Sequence, residues 1–138
     1  MEAFYAESGY TLDRKWAERS FNTLIGDPSL GSAWLVLHGD AVVGHAVLTT
    51  RFSMEYGGMD AFIDDLFVRP GYRRQGAGAA ALQRVLAECR ERGVLALHVE
   101  AGQDDAAANE LYSRFGLALG NDRRHTRTLV FSAPESSA

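Results

Sequence analysis

The chain is short of cysteine, of lysine and of long apolar runs, and each shortage removes a class of protein. Cys89 is the only cysteine, so neither an intramolecular disulfide nor a cysteine-based zinc centre can form. His38, His45, His98 and His125 are scattered without ligand spacing, and no chemistry read below needs a metal. No segment approaches the ~18 consecutive apolar residues that span a bilayer. Met1-Glu2-Ala3-Phe4 lacks the basic flank and apolar run of a signal peptide. The expected setting is a soluble protein in a reducing cytoplasm, with no membrane partner.

Positive charge is also in deficit. The 14 basic residues are outnumbered by 18 acidic ones, giving a net charge of −4. Nucleic acid is therefore not an expected partner, because phosphate backbones favour a basic face. Lys15 is the only lysine. Arginine, which supplies the rest, suits phosphate through its planar fork, although genomic base composition explains the bias as well. Internal repeats and low-complexity tracts are missing. With 138 residues and 46% hydrophobic content, the chain suits one globular domain over residues 1–138, with 132–138 as a frayed tail.

What is present reads as a mixed α/β chain. Leu12, Trp16, Ser20 and Leu24 recur at about one helical turn, which predicts a helix over Thr11–Leu24. Ala33–Leu37 and Ala41–Phe52 read as strands around a His38-Gly39-Asp40 turn, an antiparallel hairpin. After a turn at Glu55–Gly58, a third strand runs over Ala61–Val68 and stops at Pro70-Gly71. Gly78–Arg92 is the strongest helix, with Leu82, Val85, Leu86 and Cys89 on one face and Gly93 as its stop. Val94–Val99 reads as a strand. Asp104 or Asp105 caps a helix carrying Ala108, Leu111, Tyr112 and Phe115 on one face, and Thr126–Phe131 reads as a last strand. Antiparallel pairing thus leads into one βαβ-like unit.

The strongest functional signal is Arg73-Arg74-Gln75-Gly76-Ala77-Gly78, set between a strand and the best helix. A helix N-terminus offers unpaired N–H groups and about half a positive charge. Gly76 and Gly78 remove side chains that would block an anion, and the arginines add charge beside it. The pattern suits a pyrophosphate. A P-loop is excluded, because no Gly-Lys-Ser/Thr follows. A nicotinamide-dinucleotide reading has some support: Gly76-x-Gly78-x-x-Ala81 fits, and Glu100 stands where a ribose-binding acid would. Against it, the glycines do not follow Val68 in a tight turn, and one βαβ unit is too little for that fold. A plain loop and helix start is the bland alternative.

A third reading comes from a resemblance. The loop resembles the Q/R-x-x-G-x-G/A signature of the GNAT superfamily of acetyl-CoA-dependent N-acetyltransferases. Ile63-Asp64-Asp65-Leu66-Phe67-Val68 and its exit through Arg73 are similar to that family's fourth strand. Ala108-Asn109-Glu110-Leu111-Tyr112-Ser113-Arg114-Phe115-Gly116-Leu117 is similar to its A-x-x-L-Y-x-x-x-G-F helix end. The three blocks stand in family order across Ser32–Leu117. Two features depart from the family. Asp105 occupies the position of a cofactor-holding Asn, with Asn109 as the candidate to replace it. The family's first strand is missing, which leaves an upstream start, an open edge, or an edge filled by another chain; with the resemblance, this favours a homodimer.

The resemblance implies direct acetyl transfer from acetyl-CoA to an amine. Arg73, Arg74, Gln75, Gly76, Ala77 and Gly78 would hold the pyrophosphate. In the family the strand matching Asp64–Val68 splays from its neighbour, so backbone groups of Leu66, Phe67 and Val68 would be free to bond the pantetheine arm and the thioester carbonyl. Neutralising an amine of pKa about 10.4 at pH 7 costs roughly 4–5 kcal/mol, so a proton acceptor is needed. Asp64 is the first candidate, Glu100 and His98 are runners-up, and His45 comes after them. Asp64 and Asp65 point to opposite faces of the strand. Tyr112 matches the family's general acid for the leaving thiolate. Glu55, Asp60, Asp64 and Asp65 would attract a cationic acceptor: a polyamine, an amino sugar, an amino acid, a lysine side chain or a peptide N-terminus, with chain size favouring a small molecule. Binding of acyl-CoA without turnover, as a sensor or partner module, is the alternative class.

Overall fold

A computed structural model describes residues 14–102, 104–120 and 126–131. The order is α1 (Arg14–Gly26), β1 (Gly31–His38), β2 (Ala41–Ser53), β3 (Gly58–Val68), a short 3-10 turn (Pro70–Tyr72), α2 (Ala77–Arg92), β4 (Ala96–Val99) and α3 (Ala106–Arg114). The four strands lie in the order β1-β2-β3-β4. β1 with β2 and β2 with β3 are antiparallel, and β3 with β4 is parallel. The mixed α/β architecture expected from the sequence is therefore present, with one βαβ unit across α2.

The apolar pattern explains the layers. Ala46 and Leu48 of β2 meet Ala61 and Ile63 of β3 under Leu82, Val85 and Cys89 of α2 and Tyr112 of α3, forming one buried cluster. On the other face of β2, Val43, His45 and Val47 are buried as well, with Phe21 of α1 edge-on to His45. A sheet buried on both faces loses the simple alternation of apolar and polar residues, which is why β2 reads as a nearly continuous apolar run.

β3 carries a bulge. Leu48 pairs with Ile63 and Val47 with Asp65, so Asp64 is the extra residue. The inward face consequently shifts phase along the strand. Ala61 and Ile63 belong to the core before the bulge, and Leu66 packs against it afterwards.

Gly93 adopts φ 71 and closes α2 by donating to Cys89 and Arg90. Asp105 caps α3 by accepting from the Ala108 amide, one of the two caps expected. Arg92 fastens α2 to the start of β1: its guanidinium donates to Glu88, to the carbonyls of Pro28 and Gly31, and to Ser32 Oγ.

Two expectations need revision. β3 starts at Gly58 rather than Ala61, because the β2–β3 turn is tight enough for pairing to begin at Ser53↔Gly58. The last strand expected over Thr126–Phe131 is absent; those residues are irregular and exposed. Their β-propensity is high, but β-propensity stabilises a strand only through packing and pairing, and this segment joins no strand of the sheet. The residues around Phe4 and Thr11, on which the missing first strand and the first helix start were read, lie outside the described residues.

Candidate active site

The site is built where the sheet parts. β3 and β4 pair from Asp60↔Ala96 to Ile63↔Val99 and no further, whereas β3 stays paired with β2 as far as Gly44↔Val68. Beyond Ile63, therefore, one side of β3 faces a gap instead of a neighbouring strand. Arg69 donates its amide across to Val43 on the β2 side. Alternation along an extended chain then turns the amides of Leu66 and Val68 the other way, into the gap. These are donors of the kind a thioester or amide-bearing arm needs.

The glycine loop closes one end of this gap. Gly76 sits at φ 85 as the N-cap of α2, and no side chain caps it. The first amides of the helix are thus left for an outside acceptor. Arg74, at φ 63, is the one described non-glycine residue in the left-handed region, so the turn bends twice within three residues. Successive amides in a turn with left-handed residues can make a concave set of N–H donors. A Cβ on Gly78 would lie 3.4 Å from Leu111 Cδ2. The start of α2 is therefore packed against α3 beside Tyr112, and the loop and the tyrosine belong to one locality.

Among the loop residues, Arg73 turns back. Its Nε donates to the Val68 carbonyl at 2.7 Å and its guanidinium lies 5.6 Å from the centre of the Phe67 ring. It thereby fixes the end of β3. Gln75 Nε2 reaches the Gly71 carbonyl at 3.4 Å. Arg74 is exposed and Ala77, the first residue of α2, is half-buried.

Tyr112 is buried within the core cluster. Burial, with the charge of Asp105 as a lesser cause, pushes its hydroxyl above the ordinary tyrosine range, so it stays protonated at neutral pH. Asn109 donates from Nδ2 to the carbonyls of Gly102 and Asp105, at 3.0 and 2.9 Å. Both amide hydrogens are thus spent on tying down the β4–α3 loop, which leaves its carbonyl oxygen for a ligand.

Of the acidic candidates, Asp64 is the exposed bulge residue and Asp65 is buried, so the two neighbours do differ in surroundings. Glu100 is exposed and follows Val99 directly. Asp64 and Glu100 are therefore the first residues beyond the last β3–β4 pair, one on each diverging strand. The sequence offered both as candidate proton acceptors on neighbouring strands but did not place them at the point where the strands part. A signal was available in the slip of the apolar alternation from Ala61 and Ile63 to Leu66, which marks the bulge. His45 is fully enclosed beside Phe21 and Phe67. Burial lowers its pKa to about 4, which makes it a structural neutral imidazole rather than a base at the gap.

The nearby Asp60 is wholly buried yet ionised. Arg51 donates to it twice, at 2.9 and 3.0 Å, and His98 Nε2 lies 3.0 Å from its Oδ2. The hydrogen bonds from Arg51, seconded by His98, hold its carboxyl below the usual range.

A strand pair opening above a glycine-lined helix start is an acyl-CoA geometry more than a dinucleotide one, since three of the four strands are antiparallel neighbours and a turn over Pro70–Tyr72 separates β3 from the glycines. Residues 1–117 match the family model described as the acetyltransferase (GNAT) family. The chain belongs to that family.

This GNAT chain is similar to individual proteins to different extents. The integron cassette protein HFX_CASS3, from the mobile metagenome of Cole Harbour Salt Marsh, is 43% identical with a TM-score of 0.84, over 97% of this chain and 82% of that one. The aminoglycoside acetyltransferase meta-AAC0020 from an uncultured soil metagenomic sample, solved with sisomicin, is 17% identical with a TM-score of 0.73, over 94% of this chain and 82% of that one. It shows the fold alone. The ribosomal protein bS18-alanine N-acetyltransferase of Escherichia coli K12 is 36% identical over 66 residues, 48% of this chain and 45% of the relative. The chain thus spans about half the length of the curated relatives it matches. Among the described residues of this GNAT chain, no helix is long and apolar enough to cross a membrane, and no three metal-ligating side chains converge.

Proposed function

We propose that the protein transfers an acetyl group from acetyl-CoA to a primary amine of a small molecule, of polyamine, amino-sugar or amino-acid type, by direct attack. The observation that carries this reading is the gap beyond Ile63↔Val99, which ends at the uncapped glycine start of α2 and lies beside the helix of Tyr112. The amides of Gly76, Ala77 and Gly78, with Arg74 beside them, would hold the pyrophosphate. Arg73 keeps the end of β3 in place and Gln75 steadies the turn. Leu66 and Val68 donate from their backbones to the acyl-bearing arm, and Phe67 packs behind them. When bound, the thioester supplies an activated acetyl carbon.

Asp64 and Glu100 flank the opening and draw in an ammonium group. Asp64, at the bulge, is the first carboxylate the amine meets. Tyr112 gives its hydroxyl proton to the departing sulfur. Turnover distinguishes this reading from an acyl-CoA sensor of the same fold. A cytoplasmic homodimer of single-domain chains is the assembly we attach to it, tested by light scattering of the purified protein.

The direct experiment is a thermal-shift panel with acetyl-CoA, CoA, NADH and ATP, followed by thiol release in the presence of amines. A ligand at 100 times its Kd adds about 2.7 kcal/mol, a rise of several degrees at this size. A shift with acetyl-CoA and CoA alone, and thiol release with an amine, is the expected result. A shift with NADH alone overturns it, and a CoA shift without turnover on any amine favours the sensor.

A further inference from the structure

The amine must lose a proton, and a proton acceptor works best when its pKa lies near the working pH. Imidazole is the side chain with that property. His98 of β4 pairs with Phe62, one step before the strands part. It lies on the same face as Asp60 and Phe62, the face away from the Ala61 and Ile63 core. Glu100, two residues on along the chain, is exposed just past the end of β4. The ring rests against Phe62, with centroids 4.8 Å apart, and against Tyr56, at 5.9 Å. Its side chain keeps 30% of its surface exposed, whereas Asp60 keeps none.

Asp60 orients the ring. A buried carboxylate is tolerated only when its oxygens are bonded, and Asp60 meets this with Arg51 on both oxygens and His98 Nε2 on Oδ2. An ionised carboxylate only accepts, so Nε2 carries the hydrogen. In the neutral ring the lone pair is then on Nδ1. Among the described residues, Arg51 from β2 donates to Asp60, Tyr56 of the β2–β3 turn lies against the His98 ring, and Glu55 of the same turn acts on Arg51.

We propose that His98 is the proton acceptor of the reaction and Asp60 its positioning residue, with Asp64 serving to bind the ammonium. This rests on the acetyltransferase reading. The ammonium gives one proton to His98 Nδ1, directly or through one bridging water. The freed nitrogen pair forms the C–N bond as the C–S bond breaks, and sulfur takes the proton of Tyr112. The second proton of the nitrogen returns to Tyr112, and His98 releases its proton to solvent. One proton leaves per acetyl group transferred, and the charges balance.

The test compares the wild type with His98→Gln, Asp60→Asn and Asp64→Asn. Acetyl-CoA binding is followed by calorimetry. Thiol release is followed from acid to alkaline pH with a polyamine, an aminoglycoside and a peptide bearing N-terminal alanine. We expect His98→Gln to bind acetyl-CoA as the wild type does, to lose about 100-fold in kcat, and to lose the acid limb of the pH profile. Asp60→Asn removes the carboxylate that favours the imidazolium and moves that limb to lower pH. Asp64→Asn raises KM and keeps the limb. His98→Gln with wild-type kcat and profile overturns the proposal, as does loss of the limb in Asp64→Asn alone. Should His98→Gln not fold, nitrogen-15 spectra of the wild-type imidazole decide: a proton on Nδ1 rather than Nε2 in the neutral ring overturns it. If the wild type binds acetyl-CoA and acetylates none of the amines, the acetyltransferase reading falls and this proposal with it.

Discussion

Gly44 stands so close to β3 that a Cβ built on it would overlap the carbonyl oxygen of Phe67 and come within 3.1 Å of the Val68 Cα. The contact is backbone to backbone, so no side chain can turn aside to relieve it. It presses on the segment whose amides face the gap. Gly44→Ala is expected to destabilise the fold by ~1–3 kcal/mol through overpacking and to weaken acetyl-CoA binding as well. Thermal melts and calorimetry read the two effects. Gly26→Ala is the control, because nothing lies within 4 Å of its added Cβ; it should leave both unchanged. A Gly44→Ala protein with wild-type melting and binding would show that β3 shifts freely there.

Arg92 joins elements distant in sequence. Its guanidinium donates to Glu88, Pro28, Gly31 and Ser32, at 2.8, 2.6, 2.9 and 2.7 Å, and Ser32 Oγ donates in turn to Glu88 at 2.9 Å. Hydrogen bonds to charged groups contribute ~1.5–3 kcal/mol each in favourable cases, and they share one side chain here. Arg92→Ala should cost about 2–3 kcal/mol in a urea unfolding experiment. Arg92→Lys should recover little, because a single ammonium cannot reproduce the fork. Arg84→Ala, which removes an exposed helix pair to Glu88 at 3.3 Å and a cation–π contact over the Trp34 ring at 5.7 Å, should cost less than Arg92→Ala, about 1 kcal/mol.

Much of this was legible in the sequence. The helix of Leu82, Val85 and Cys89 declared itself by its spacing, and its glycines marked both ends. The β1–β2 hairpin followed from the Gly39-Asp40 turn. Tertiary relationships were less accessible. The pairing of β3 with β4 stops at Ile63; the family resemblance led to that expectation, whereas nothing in the composition of Asp64–Val68 says that a neighbour will leave. The return of Arg73 onto the Val68 carbonyl depends on a loop with a left-handed arginine, which no propensity favours. Asp60 and His98 are 38 residues apart, so their contact is a product of the parallel β3–β4 register. Thr126–Phe131 failed for the complementary reason: local propensity was high and no partner strand received it.

His45 gives the fold a pH dependence of defined sign. Enclosure lowers its pKa from 6.5 to about 4, so the folded state resists a proton that the unfolded chain accepts. Its contribution is complete above 6.5 and is lost progressively as pH falls toward about 4. Asp60 and Glu88, held low by their arginines, give up their contributions only at more acid pH. Unfolding free energy should therefore decline between pH 6.5 and 4.5, and His45→Gln should reduce that slope whatever its effect at neutral pH. Equal slopes in the two proteins would assign the acid sensitivity elsewhere.

Tyr112 lies at the junction of core and site, so its ring and its hydroxyl must be tested apart. The ring is packed with Leu82 and Ala46 in the core cluster, and phenylalanine preserves that packing. The hydroxyl is kept protonated by burial and by Asp105, the state in which it can donate as charge gathers on sulfur. Tyr112→Phe should melt close to the wild type and bind acetyl-CoA with unchanged affinity. Its kcat should fall by ~100-fold or more, the usual worth of a positioned acid. A donor lost only in the transition state lowers kcat and kcat/KM together and leaves KM alone. Replacing acetyl-CoA with a thioester whose thiol has a lower pKa would then separate the roles, because a better leaving group needs no proton. Recovery of the Tyr112→Phe rate with that donor supports proton transfer to sulfur. A defect that persists unchanged assigns the hydroxyl to another step.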